Sequence, residues 1–148
     1  MGLAPDRHFW VSMVGVLLPL TLGMAPMETL EQADITVGDA SYVVELARSW
    51  EERQKGLMRR PRLDNDQGLL LVYPRAGDKR IWMKNMLIPI HVYWIDSNYR
   101  VVFHRRLEPC QVDPCPVYAG PSSSQFVLEL NDSEHDIEIG DVMSGFVY

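Results

Sequence analysis

Apolar and polar residues alternate in short runs after residue 33, and Gly, Pro, Asn or Asp break the runs at brief intervals. Alternation with period two predicts half-buried strands rather than helices. "DITV" (34–37) and "SYVVELA" (41–47) read as two strands around a Gly38-Asp39 turn, with Tyr42, Val44 and Leu46 on one face. Ser49 followed three residues later by Glu52 is a capping box, and Gly56 with Pro61 ends the segment. One short helix near 49–57 is therefore expected. "GLLLVYP" (68–74) is too short and too apolar for a surface helix, so a buried strand is expected. "RIWM" (80–83), "LIPIHVYWID" (87–96) and "YRVVFHRRL" (99–107) follow as strands, the last two joined by a turn at Ser97-Asn98. "SQFVLELN" (124–131) places Phe126, Leu128 and Leu130 on one side, "DSEHDIEIGD" is a loop, and "VMSGFVY" (142–148) is a final strand. About seven short strands with one helix predict a mainly β (α+β), compact barrel-like domain over 34–148. Residues 26–33 read as a linker, and no internal repeat is visible.

The first 25 residues follow a different pattern. Arg7 and His8 precede "FWVSMVGVLLPLTLGMA" (9–25), a run shorter than a comfortable bilayer crossing and broken by Pro19. It predicts a signal peptide, or a membrane anchor if it is not cleaved. A periplasmic or secreted location is the expectation, with membrane contact only through an uncleaved N-terminal segment. The two cysteines agree: in "PCQVDPCP", Cys110 and Cys115 can close a small loop as a disulfide in an oxidising compartment. No second cysteine pair or local histidine completes a zinc site.

The formal net charge of −6 hides a segregation. Arg48 to Arg106 carries 13 basic and 6 acidic side chains, whereas 8 acidic and no basic side chains follow Arg106. A chain without basic excess is not expected to bind nucleic acid. Either the two segments pack together and neutralise each other, or a basic face meets an acidic partner.

Candidate chemistry centres on "RIWMKNMLIPI" (80–90), where Lys84 and Asn85 interrupt an apolar run. If the strand continued, Trp82, Lys84 and Met86 would share one face and Met83 and Asn85 the other. Trp82, Lys84 and Arg60 could then surround an anionic or sugar-like ligand. The plainer reading ends the strand near Asn85, caps a turn with its amide and lays the lysine stem over Trp82. Met58, Met83 and Met86 with His91 and His104 form a possible Cu(I) set, against which stands their use as core filler. The carboxylates at 129, 132, 134, 136, 138 and 141 read as a solvated face. There is no nucleophile elbow or phosphate loop, and no cofactor or metal is expected.

"EERQKGLMRR", "GLLLVY", "IWMKNMLIPI", "IDSNYRVV", "CQVDPCPVY", "FVLELN" and a late "GD" occur in one order. Together they resemble the bacterial and archaeal family called domain of unknown function 192. The resemblance implies a compact, largely β domain, often exported, with no established activity. Family members usually have Thr at position 86 and Asp at 91, where this chain has Met86 and His91, and the glycine after "ELN" is missing. An acceptor for Lys84 must then come from elsewhere than position 91. The leading expectation is an exported, non-enzymatic domain that binds a small molecule or an envelope protein through Arg60, Trp82, Lys84 and Asn85. The alternatives are an enzyme acting on a cell-envelope polymer or saccharide, with Lys84 or His91 in proton transfer, and periplasmic Cu(I) binding.

Overall fold

The computed structural model describes residues 29–146. The N-terminal signal or anchor segment and the start of the predicted linker lie outside the described residues. Strand β1 (Gln32–Val37) begins two residues before the expected boundary. It pairs antiparallel with β2 (Ala40–Ala47) across a turn in which Gly38 takes a φ of 59°, a conformation that glycine adopts without a Cβ penalty. Helix α1 (Trp50–Lys55) follows. The capping box forms as read: Ser49 Oγ accepts from the Glu52 amide, and the Glu52 carboxylate accepts from the Ser49 amide. Those bonds hold the Glu52 carboxyl below the usual carboxylate range.

The chain continues through β3 (Gln67–Val72), β4 (Arg80–Trp82), β5 (Ile90–Asp96), β6 (Val101–Leu107), β7 (Val117–Ala119), β8 (Ser124–Leu130) and β9 (Met143–Ser144). Seven strands make one sheet in the order β6-β5-β8-β3-β2-β1-β9, and β4 pairs with β7 in a separate ribbon. The large sheet curls into a half-barrel, and its two edges meet at one end through a bridge between Arg100 and Val142. There the Val101 amide donates to the Asp141 carbonyl and the Met143 amide to the Tyr99 carbonyl.

The alternation sorts side chains onto two cores. The inner one gathers Ile35, Val44, Leu70, Tyr93, Phe126 and Leu128 from successive strands. The outer one gathers Leu69, Leu71, Val92, Trp94 and Val127 from the other face of the central strands, covered by Leu57, Ile81, Met83 and Met86. Strands β3, β5 and β8 are therefore buried on both faces, which explains their dense apolar sequences.

Several expectations need correction. Strand β5 starts at Ile90, not at 87, since Pro89 has no amide hydrogen for the ladder. The stretch from 108 to about 121, which the sequence reads as loop, contains β7, paired antiparallel with β4. The last strand is short: only Met143–Ser144 pair with β1. Strand β4 ends at Trp82, so of the two readings of Lys84 and Asn85 the plainer one holds, a strand end and a turn rather than a continuing alternation. Met83 and Met86 are both buried instead. No helix among the described residues is long and apolar enough to cross a membrane.

Candidate functional site

A cleft of about 270 Å³ opens on the outer face, between the C-terminal end of α1, the β4–β7 ribbon and the central sheet. Its walls are apolar, with Leu57, Ile81, Met86 and Ile90, and Trp82 stands at its mouth, partly exposed. Arg53, Lys55 and Arg80 bring cations to the lining, and Glu129 brings the only carboxyl. Alternation explains the last. On β8, Phe126, Leu128 and Leu130 face inward, so Val127 and Glu129 face the outer core.

Glu129 is only 5% exposed. The expectation of a solvated carboxylate fails here because β8 lies between β5 and β3, with packing on both faces. No hydrogen bond to the Glu129 carboxyl is made by the described residues, yet no side-chain polar atom sealed from solvent lacks a partner among them, so its oxygens open on the cleft; Oε2 lies 3.7 Å from where a Cβ on Gly56 would stand. Burial pushes its pKa from 4.5 up to about 7, with the Arg60 charge pulling the other way. The carboxyl is thus divided between its neutral and ionised forms near neutral pH.

Arg60 is near but committed elsewhere. It grips Glu45 with both arms of its fork, at 2.7 and 2.6 Å, and Glu45 raises its pKa further. The register places Glu45, Leu69 and Glu129 in a row across β2, β3 and β8. Arg60 therefore answers two carboxyls on one sheet face with one bidentate contact. Tyr73, also in the lining, has Arg53 stacked over its ring at 4.7 Å and the Lys79 ammonium at 4.6 Å. Burial raises the Tyr73 pKa, opposed by Arg53 and reinforced by Glu129. Arg53 also donates to the Val72 carbonyl at 3.0 Å.

The four candidate residues read from the sequence fall in one neighbourhood, but only Trp82 lines the cleft. Met83 to Met86 is a turn closed by the Met86 amide on the Met83 carbonyl, with Lys84 and Asn85 at its centre. Asn85 has a φ of 59°, which asparagine tolerates better than most residues. Its carbonyl accepts from the Arg59 amide, and its Nδ2 lies 3.8 Å from Met58 Sδ. "GLMRR" and "WMKN" thus touch. The cysteine loop joins them through the Cys110 amide on the Met83 carbonyl. Lys84 Nζ sits 5.9 Å from the Trp82 ring and pairs with Asp113 at 3.2 Å. Asp113 belongs to the loop closed by Cys110 and Cys115, whose sulfurs are at disulfide distance, 2.13 Å.

His91 lies on the other face. It stacks on the inner-core Tyr93 and approaches Asp132 at 3.8 Å, with its pKa lowered by burial and by His135. Met58, Met83 and Met86 belong to the outer face, while His91 and His104 stack on Tyr93. The sheet separates the thioethers from the imidazoles, so the Cu(I) set does not assemble. Cys110, Asp113 and Cys115 offer ligand atoms within 4.8 Å of one another, but sulfurs joined in a disulfide provide no thiolate. The segregated charges partly meet: Arg106 contacts Asp132 and Glu108, and Lys84 contacts Asp113.

Glu129, Tyr73, Arg53, Lys55 and Arg80 are the site residues that the sequence reading did not single out. For Glu129 the signal was present, since it shares the parity of Val127 in a strand flanked by Leu128 and Leu130.

Comparison with known proteins agrees with this architecture. A solved protein from Sinorhizobium meliloti 1021, titled as a candidate transcription regulator, is 23% identical, with a TM-score of 0.73 over 80% of this chain and 96% of its own. A protein of unknown function from Novosphingobium aromaticivorans DSM 12444 is 24% identical, with a TM-score of 0.67 over 81% and 89%. At these identities the likeness concerns the fold. No curated protein matches the chain. Residues 33–145 match the family described as DUF192, Uncharacterized ACR, and the chain belongs to that family.

Proposed function

We propose that this chain is an exported, non-enzymatic domain of the cell envelope that captures a small ligand in the cleft beside Trp82. The observation that carries the reading is Glu129, a largely buried residue whose carboxyl has no hydrogen bond among the described residues and opens on a cleft with apolar walls and cations in its lining. Apolar walls with a few convergent polar groups are the usual make-up of a small-molecule site. Trp82 supplies an exposed ring for stacking, and the turn that holds Lys84 and Asn85 fixes its position. Export is supported by the N-terminal run and by a cysteine pair suited to an oxidising compartment.

A panel of small anionic and saccharide fragments, followed by amide chemical shifts, tests the binding half. Binders should move the amides of Gly56, Tyr73 and Trp82 together, and Trp82→Ala should weaken them. Shifts scattered over the surface, or none at millimolar fragment, would overturn it. Cell fractionation with mass spectrometry of the N-terminus tests the other half. Protein confined to the cytoplasm with residues 1–25 intact would end the export proposal.

The raised Glu129 pKa favours a second reading, an enzyme that moves a proton on an envelope saccharide. Glu129 then replaces Lys84 and His91 as the titrating group. Turnover of a cell-wall saccharide that Glu129→Gln abolishes would select this reading over simple capture.

A further inference from the structure

The cleft sorts its chemistry in a way that constrains the ligand. Lys55 and Arg80 are exposed and make no ion pair or side-chain hydrogen bond among the described residues, unlike Arg53 and Arg60. Two free cations at the lining favour an anionic group there. The walls require an apolar body. Glu129 is the one carboxyl of the lining, beside the polar Gln54 and Tyr73. Of the other buried polar residues, Lys79 rests its ammonium over the Tyr73 ring, and the remaining two are hydrogen-bonded. Ser124 donates to the Pro121 carbonyl, and Asn131 donates to the Leu63 carbonyl and to Asn65. The Glu129 carboxyl has no such bond. The nearby guanidinium that could have supplied one is turned wholly to Glu45. No side-chain polar atom sealed from solvent lacks a partner among the described residues, so the Glu129 oxygens are open to the cleft, where a donor brought from outside can reach them.

We infer that the cleft selects an amphipathic anion: a carboxylate or phosphate head held by Lys55 and Arg80, an apolar body beside Trp82, and a hydroxyl or amine tip that donates to Glu129. Glu129 is then the specificity-determining residue, because a ligand without the donor would close the cleft over the carboxyl and leave it unpaired. A site built to receive a hydrogen bond rejects the analogue that lacks it far more strongly than an apolar pocket rejects a change of size. This inference rests on the ligand-binding reading above.

The test uses matched probes on the intact domain, followed by amide shifts of the cleft residues. Para-hydroxyphenylacetate is compared with phenylacetate, and para-hydroxybenzylphosphonate with benzylphosphonate, so that the two head groups are told apart. The hydroxylated member of each pair should bind about tenfold or more tightly. Glu129→Leu should remove that preference while phenylacetate binding stays or improves, and Glu129→Gln provides a polar control that keeps the shape. Lys55→Ala combined with Arg80→Ala should weaken both members of a pair alike. Equal affinity within each pair for the wild-type protein, or a preference that survives Glu129→Leu, overturns the inference and leaves ligand capture standing. Absence of any cleft shift with all four probes overturns both.

Discussion

Replacing Glu129 by Gln isolates the energetics of the buried carboxyl. In the fold, burial holds its pKa at about 7, against 4.5 for the ordinary side chain. The folded state therefore binds a proton more tightly than the unfolded chain. Stability linked to this group is fully present below about pH 4.5 and is lost as pH rises towards about 7. The gap corresponds to about 3 kcal/mol at about 1.4 kcal/mol per pH unit. Gln has nearly the same shape and does not titrate. Urea unfolding of both proteins, repeated from acid to mildly alkaline pH, gives the difference directly. The two should be nearly equal in acid, and Glu129→Gln should become the more stable by about 3 kcal/mol above neutrality. His91 works in the opposite direction. Its lowered folded pKa adds stability as pH rises through the ordinary histidine range, equally in both proteins, so it cancels in the difference. A difference that stays flat with pH would refute the claim that Glu129 is buried without a compensating partner.

Other substitutions probe the frame around the cleft. A Cβ at Gly120 would stand 2.1 Å from Trp94 Cδ1, so Gly120→Ala should cost about 1–3 kcal/mol in chemical denaturation. Ser49→Ala removes the cap of α1 and should cost about 1 kcal/mol by the same measurement. Replacing Cys110 and Cys115 together by Ser opens a short loop and should cost about 2 kcal/mol, while thiol titration of the unfolded wild-type protein should find no free thiol. Lys84→Ala breaks an exposed pair with Asp113 and a distant contact with the exposed Trp82 ring, and should change stability by less than about 1 kcal/mol. A larger loss would give the lysine a structural role beyond that pair.

The alternation of apolar residues was enough to locate most of the strands, because a period of two leaves little choice of side-chain facing. Likewise the helix was legible, since its capping box is a local device completed within four residues, Ser49 to Glu52. Residues 83–86 left two readings open, a continuing strand or a strand ending near Asn85 in a turn; the second holds, with Asn85 at positive φ in a turn that buries both flanking methionines. Local pattern cannot distinguish these outcomes when the decisive contacts come from Arg59 and Cys110, both distant in sequence.

What the sequence determined by itself is therefore local: the strands, the capped helix, the cysteine pair and the family-bearing run around Trp82. What tertiary structure decided is which of these elements share a face. Sheet order places β8 between β5 and β3, and that turns Glu129 from one more acid in an acidic stretch into a desolvated carboxyl with a pKa near 7. The same order sends His91 to the side away from the cleft and leaves Lys84 to Asp113 on the cysteine loop. Burial on both faces belongs to a strand's neighbours rather than to its own residues, and so the site became visible only once the strands were assembled.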